Sequence, residues 1–145
     1  GLAVICGRNE TTRRRLDGLR DASGHHVPVL GFVDNMAEWM RAADIVVTKA
    51  GPGTIVEALC SGLPLLLTWY IPGQESGNLE WLVDIGAGRY VPHPRELVDT
   101  IAELSAPGSP SLAAMRAAVA GAARPQATER IAALVAQMAS KGVRT

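Results

Sequence analysis

The sequence predicts an α/β fold, a parallel β-sheet flanked by helices and followed by a helical tail. Short apolar runs alternate with stretches of helical periodicity, the pattern of strands joined by crossover helices. The runs are almost wholly apolar, as strands are when helices cover both faces of a sheet. After one of them the chain breaks at Gly51 and Gly53 and then resumes as helix-forming sequence. Open sheets of this class bind ligands beyond the carboxyl ends of their strands, where such breaks lie.

In chain order, Leu2 to Cys6 and Val27 to Phe32 read as strands, separated by a helix over Glu10 to Arg20 with Asn9 as its N-cap. A helix over Met36 to Ala43, capped by Asn35, leads to a strand over Ile45 to Thr48. The next helix, Thr54 to Ser61, stops at Gly62, and the strand Leu65 to Thr68 follows. Gly77 to Ile85 is a helix ended by Gly86, Arg89 to Val91 a strand, and Arg95 to Ala106 a helix. Beyond residue 106 the chain turns Ala- and Arg-rich, with helices over Ser109 to Ala122 and Thr128 to Met138 set off by Pro107, Pro110 and Pro125. Their apolar positions, Leu112, Met115, Ala118 and Val119, then Ile131, Leu134, Val135 and Met138, recur at helical spacing and predict packing faces. Residues 1–106 are thus expected to form the sheet domain, and residues 107–145 a tail packed on it.

Bulk properties exclude several function classes. With 14 Lys and Arg against 14 Asp and Glu the net charge is zero, so no overall field recruits nucleic acid or anionic lipid. The two cysteines, Cys6 and Cys60, adjoin apolar stretches and are expected to be small buried hydrophobes, with no zinc spacing around them. No apolar run approaches the roughly 20 residues that span a bilayer, and no signal peptide is visible, so a soluble chain in a reducing compartment is expected. His25 and His26 sit in a Gly-containing connection and His93 beside Pro92 and Pro94, none at metal spacing. Arg13, Arg14 and Arg15 form a basic cluster that reads either as a solvated helix face or as a contact for anionic lipid.

Two stretches carry chemistry. In Gly51-Pro52-Gly53-Thr54, the missing side chains let backbone approach an anion, and the N–H groups of a first helical turn have no partner within the helix. A glycine turn between strand and helix is common, so the glycines alone leave the matter open. Thr54 adds a hydroxyl that either caps the helix or bonds a phosphate oxygen. Glu57, one turn on, can accept from two vicinal ribose hydroxyls. The second stretch, Pro72 to Asn78, offers Gln74, Glu75 and Asn78, whose mixture of donors and acceptors suits a sugar ring, or equally a helix N-terminus satisfying itself. Trp69, Tyr70 and Trp81 flank this loop and either pack or line a sugar cleft, whereas Trp39 reads as helix packing.

Together, Val4-Ile5-Cys6-Gly7-Arg8-Asn9, Gly31-Phe32-Val33 with Asn35-Met36 and Trp39, the Thr48 to Ala58 run, Gly62-Leu63-Pro64 and the Gly73-Gln74-Glu75 to Asn78 loop resemble the monogalactosyldiacylglycerol synthases. These glycosyltransferases are related to the processive diacylglycerol glucosyltransferases and the peptidoglycan N-acetylglucosaminyl transferase. The resemblance runs from about residue 3 to about residue 92. It implies the C-terminal, donor-binding half of a GT-B enzyme, with a Rossmann-like sheet. By the same resemblance Gly51, Pro52, Gly53 and Thr54 would hold the diphosphate of UDP-galactose or UDP-glucose, and Glu57 the ribose. Phe32 and Val33, with Met36 nearby, would frame the uracil. Gln74 and Glu75 would face the hexose with Asn78 in support, and Arg8 and Asn9 would lie at the cleft.

Relative to that family, the strand and glycine-rich loop that normally open the donor domain are absent upstream of Val4, as is the N-terminal domain with the acceptor site and the catalytic base. No catalytic residue is therefore expected in this chain, which would be inactive alone. Its first and third runs would either close up against each other or leave edges open to self-association. The resemblance further implies donor binding without metal or cofactor, a diacylglycerol-type acceptor met through the other domain, and a cytoplasmic or peripheral membrane location for the intact enzyme. Two rivals stand beside this reading. One is a UDP-N-acetylglucosamine 2-epimerase-like domain, which shares the glycine loop and following Glu but not the Pro-Gly-Gln-Glu to Asn loop. The other is a non-catalytic nucleotide-binding module.

Overall fold

The structure, a computed structural model, describes residues 1–141. The chain divides into two compact units, residues 1–39 and 40–145. In the first, β1 (Val4–Ile5) pairs in parallel with β2 (Val29–Leu30), and α1 (Glu10–Arg15) lies between them in sequence. Asn9 caps α1 as expected, its Oδ1 accepting from the Thr12 N–H at 3.0 Å. The helix is shorter than its apolar and charged spacing suggested. It stops at Leu16 because Asp17-Gly18 makes a turn, with Gly18 at φ +75°, a conformation that side chains disfavour.

The helix α2 (Met36–Ala42) leads into the larger unit, whose sheet is β3 (Val46–Lys49), β4 (Leu65–Trp69) and β5 (Gly88–Tyr90), all parallel, with β4 central. Each strand returns through a helix, α3 (Pro52–Cys60) after β3 and α4 (Ser76–Asp84) after β4. Both helices end where the sequence placed a glycine, Gly62 at φ +77° and Gly86 at φ +74°. The first unit holds the β1–β2 pair and the larger unit the β3–β4–β5 sheet. Within this sheet Val47 of β3 is exposed, while Leu65, Leu66 and Leu67 of β4 are fully buried.

One face of β4 meets the C-terminal helices. Leu66 packs with Val91, with Leu104 of α5 (Pro94–Ser105) and with Met115 of α6 (Pro110–Ala122). Salt bridges from Arg89 to Glu103 and from Arg116 to Asp44 tie these helices to the sheet unit. The predicted apolar stripe of α6 is realised, with Met115 and Val119 buried. That of α7 (Ala127–Lys141) is not: Ile131, Leu134, Val135 and Met138 are exposed. Helical spacing establishes that a face is apolar; it does not supply the surface that covers it, and among the described residues none does. The cysteines also depart from expectation, Cys6 being half-buried and Cys60 exposed, both as free thiols.

The close approach of α4 to β5 depends on Gly88. A methyl group there would lie 2.5 Å from Leu82 Cδ2 and 3.0 Å from the Leu65 carbonyl oxygen, and Leu82 and Leu65 are fully buried. Gly88→Ala is therefore expected to destabilise the protein by about 1–3 kcal/mol through overpacking, read as a lowered chemical-denaturation midpoint. An unchanged midpoint would show that α4 is free to move off the sheet.

Candidate functional site

The site is built at the carboxyl end of β3. Ala50 is completely buried and its N–H donates to the Trp69 carbonyl at 2.9 Å, carrying the β3–β4 pairing one residue past the strand. The chain then turns through Gly51, the N-cap of α3, and enters the helix at Pro52, which has no N–H to satisfy and a φ suited to a first turn. Gly51 offers no side chain to cap the helix. The first backbone bond is from Ile55 N–H to the Gly51 carbonyl, and among the described residues the amides of Gly53 and Thr54 have no acceptor. Two donors at the positive end of a helix dipole thus point out of the end of the sheet. Thr54 is half-buried, its hydroxyl not committed to a cap, and Glu57 is exposed one turn further along the same helix.

This junction is held by the loop after β4. Glu75 is only 2 % exposed. Its Oε1 accepts from Lys49 Nζ and its Oε2 from the Ile71 N–H at 3.0 Å. The Lys49 ammonium, and after it the Ile71 amide, hold the Glu75 carboxyl below the ordinary carboxylate range, against the opposing effect of burial. Asn78, on the first turn of α4, donates from Nδ2 to the Ala50 carbonyl at 3.2 Å. The loop itself turns at Gly73 (φ +79°), whose N–H donates to Ser76 Oγ at 3.0 Å.

These contacts redistribute the roles expected of the second stretch. Glu75 does not present a free carboxylate to a sugar: it is buried and both oxygens are occupied inside the protein. Asn78 supports the glycine loop through Ala50. Gln74 alone of the three is exposed, with no side-chain hydrogen bond among the described residues. Lys49, which lies in the Thr48 to Ala58 run but is not among the residues expected at the site, also stands at this junction through its contact with Glu75. Its signal in the sequence was a single Lys ending an otherwise apolar strand, one residue before the loop.

The remaining expected residues belong to the unit of residues 1–39. The Arg8 guanidinium stacks 5.3 Å from the ring centroid of Phe32, which is itself largely exposed. Asn9 spends its side-chain oxygen on the α1 cap. Val33 and Met36 are half-buried. Arg13 and Arg14 of the basic cluster both bond Glu10, whose carboxyl is lowered to about 2 by them, so much of that charge is answered locally.

Of the flanking aromatics, Tyr70 packs edge-on against Tyr90 at 5.7 Å and Trp69 is exposed at the end of β4. Trp81 lines an apolar groove of about 550 Å³ between α3 and α4 on one side, with Val56, Leu59 and Ile85, and the end of α6 and start of α7 on the other, with Ala118, Ala122 and Ala127. No cluster of three or more His, Cys, Asp or Glu residues able to hold a metal, and no helix long and apolar enough to cross a membrane, occurs among the described residues.

Comparison with known proteins places the chain in a family and a fold. The model of the glycosyltransferase family 28 C-terminal domain matches residues 2–131. The chain is 46% identical over 106 residues to monogalactosyldiacylglycerol synthase 3 of Arabidopsis thaliana, covering 70% of this chain and 22% of that protein. It is 40% identical over 132 residues to monogalactosyldiacylglycerol synthase of Spinacia oleracea, covering 90% of this chain and 24% of that one. The chain thus spans about a quarter of the length of these relatives. The crystal structure of MurG from Acinetobacter baumannii superposes with a TM-score of 0.72 at 21% identity, over 94% of this chain and 41% of that one, which establishes the shared fold.

Because the folded-state value of Glu75 lies below its unfolded value, the unfolded chain binds more protons as the pH falls below the ordinary carboxylate range. The stabilisation from Glu75 is complete above that range and is lost as pH falls through the lowered folded value. Glu75→Gln is expected to flatten the acid limb of a stability-versus-pH curve relative to wild type. Parallel acid limbs would show that the buried carboxylate is not linked to folding.

Proposed function

The chain belongs to the glycosyltransferase family 28 C-terminal domain family, and from that premise we propose that it is the donor-binding domain of a hexosyltransferase that uses UDP-galactose or UDP-glucose. The observation that carries the proposal is the uncapped N-terminus of α3, where the Gly53 and Thr54 amides stand without acceptors among the described residues, at the carboxyl end of β3. A diphosphate supplies four or more oxygen acceptors and negative charge, matching both the orphan donors and the helix dipole. The Thr54 hydroxyl adds a third donor. Glu57, exposed one turn on, fits the two ribose hydroxyls. Gln74, the free polar side chain of the second loop, is the residue left to meet the hexose.

In the reaction the same amides would take up charge as it develops on the leaving nucleoside diphosphate, the step at which fixed donors lower a barrier most. A base outside this chain's site residues would activate a lipid hydroxyl. A diacylglycerol-type acceptor, met at the membrane surface by the whole enzyme, follows from the synthases to which the chain is similar. Residues 1–106 would form the nucleotide-sugar domain, with Phe32, Val33 and Met36 framing the base and Arg8 near them. Residues 107–145 would be its helical appendage. No metal or cofactor is required by this scheme, since the charge is met by amides and side chains.

The test is calorimetric titration of UDP. Glu57→Ala is expected to weaken UDP binding by about 1.5–3 kcal/mol for each charge-assisted hydrogen bond to the ribose that is lost, with no comparable effect on inorganic pyrophosphate. Equal UDP affinity in wild type and variant would reject the ribose assignment, and absence of UDP binding by the wild type would reject the donor site.

A further inference from the structure

We propose that Lys49 is a further diphosphate-contacting residue, its ammonium aimed across the mouth of the glycine loop by buried Glu75, which acts as a positioning residue. The inference rests on the donor-site reading above and adds to it a cation that neither glycine loop nor helix end supplies. Three observations carry it. Lys49 ends β3, so its side chain leaves the sheet where α3 begins, and that side chain is 47% exposed although its partner carboxylate is 3% exposed. A methyl group at Gly51 would lie 3.0 Å from Lys49 Nζ and 3.8 Å from Glu75 Oε1, so the ammonium lies against the N-cap of α3. An ammonium has three donors and Glu75 uses one, which leaves two for a ligand on the exposed side.

The alternative is a lysine that serves only to neutralise Glu75. That role would be met by any exposed geometry of the lysine stem, whereas here the ammonium is placed beside the N-cap of α3. The second oxygen of Glu75 is held by the Ile71 amide at 3.0 Å, so the carboxylate cannot follow Lys49 outward and its direction is fixed. A bound diphosphate would then sit among the Gly53 and Thr54 amides and a cation whose position is set before binding, so little ordering cost remains to be met on association.

The experiment compares UDP with uridine, which lacks the phosphates, in wild type and in the paired variant Lys49→Met with Glu75→Gln, which removes the cation without leaving a buried charge. The ratio of the two affinities is expected to fall roughly ten- to hundredfold in the variant, the equivalent of one charge-assisted hydrogen bond, while uridine affinity stays as in wild type. An unchanged ratio in a folded variant overturns the proposal and leaves the donor site standing. Wild type that binds neither ligand removes the donor site and this inference with it. If thermal melting shows the paired variant unfolded, Lys49→Arg and Lys49→Gln carry the comparison. Arg is expected to keep the preference for UDP and Gln to lose it, and equal ratios in the two overturn the proposal.

Discussion

A carboxylate withdrawn from water has to find its hydrogen bonds within the protein, and the buried Glu75 finds them in Lys49 and the Ile71 amide. That requirement fixes more than one side chain. It ties the end of β3 to the loop after β4, and with the Asn78 to Ala50 bond it sets the path of the backbone between Ala50 and Gly51. The exit of the chain from the sheet, the start of α3 and the direction of its first amides all follow from where that path ends.

What the bracing leaves unsatisfied is as informative as what it satisfies. Glu75 and Asn78 find their partners inside the protein, whereas the Gly53 and Thr54 amides have none among the described residues. The helix dipole at such an end is worth about 0.3–1 kcal/mol to an anion, and each charge-assisted hydrogen bond about 1.5–3 kcal/mol, so the individual donors decide affinity and the dipole adds to them. The junction is therefore rigid in its frame and open in its donors, which is the combination that binding to a preformed site needs. The apolar groove between α3, α4 and the C-terminal helices shares none of these residues.

The order and type of the elements were legible because each rests on local signals. The apolar runs became β3, β4 and β5, Asn9 became a cap, and Gly62 and Gly86 became helix ends. The length of α1 was misjudged although Asp17-Gly18 is itself a local turn signal, outweighed by the helical spacing around it. Three features could not be read locally. The Lys49 to Glu75 contact joins residues 26 apart and depends on the parallel register in which Lys49 lies opposite Trp69, past an irregularity between Thr48 and Lys49. The exposure of α7 depends on what lies opposite it. The exposure of Cys60 depends on which face of α3 meets the rest of its unit, which an adjoining apolar stretch does not encode. The glycine loop and the polar loop were thus visible, while which polar side chains are held inside the protein and which stand exposed needed their distances.

The central claim is that the first amides of α3 form a preformed cradle for diphosphate. The most direct measurement is the movement of backbone amide resonances on addition of inorganic pyrophosphate, followed by nuclear magnetic resonance at Gly53 and Thr54. The account predicts that these two amides move to lower field, saturably and together, with smaller changes at the ends of α1 and α5. Saturable shifts confined to other parts of the chain, or none at Gly53 and Thr54, would contradict it.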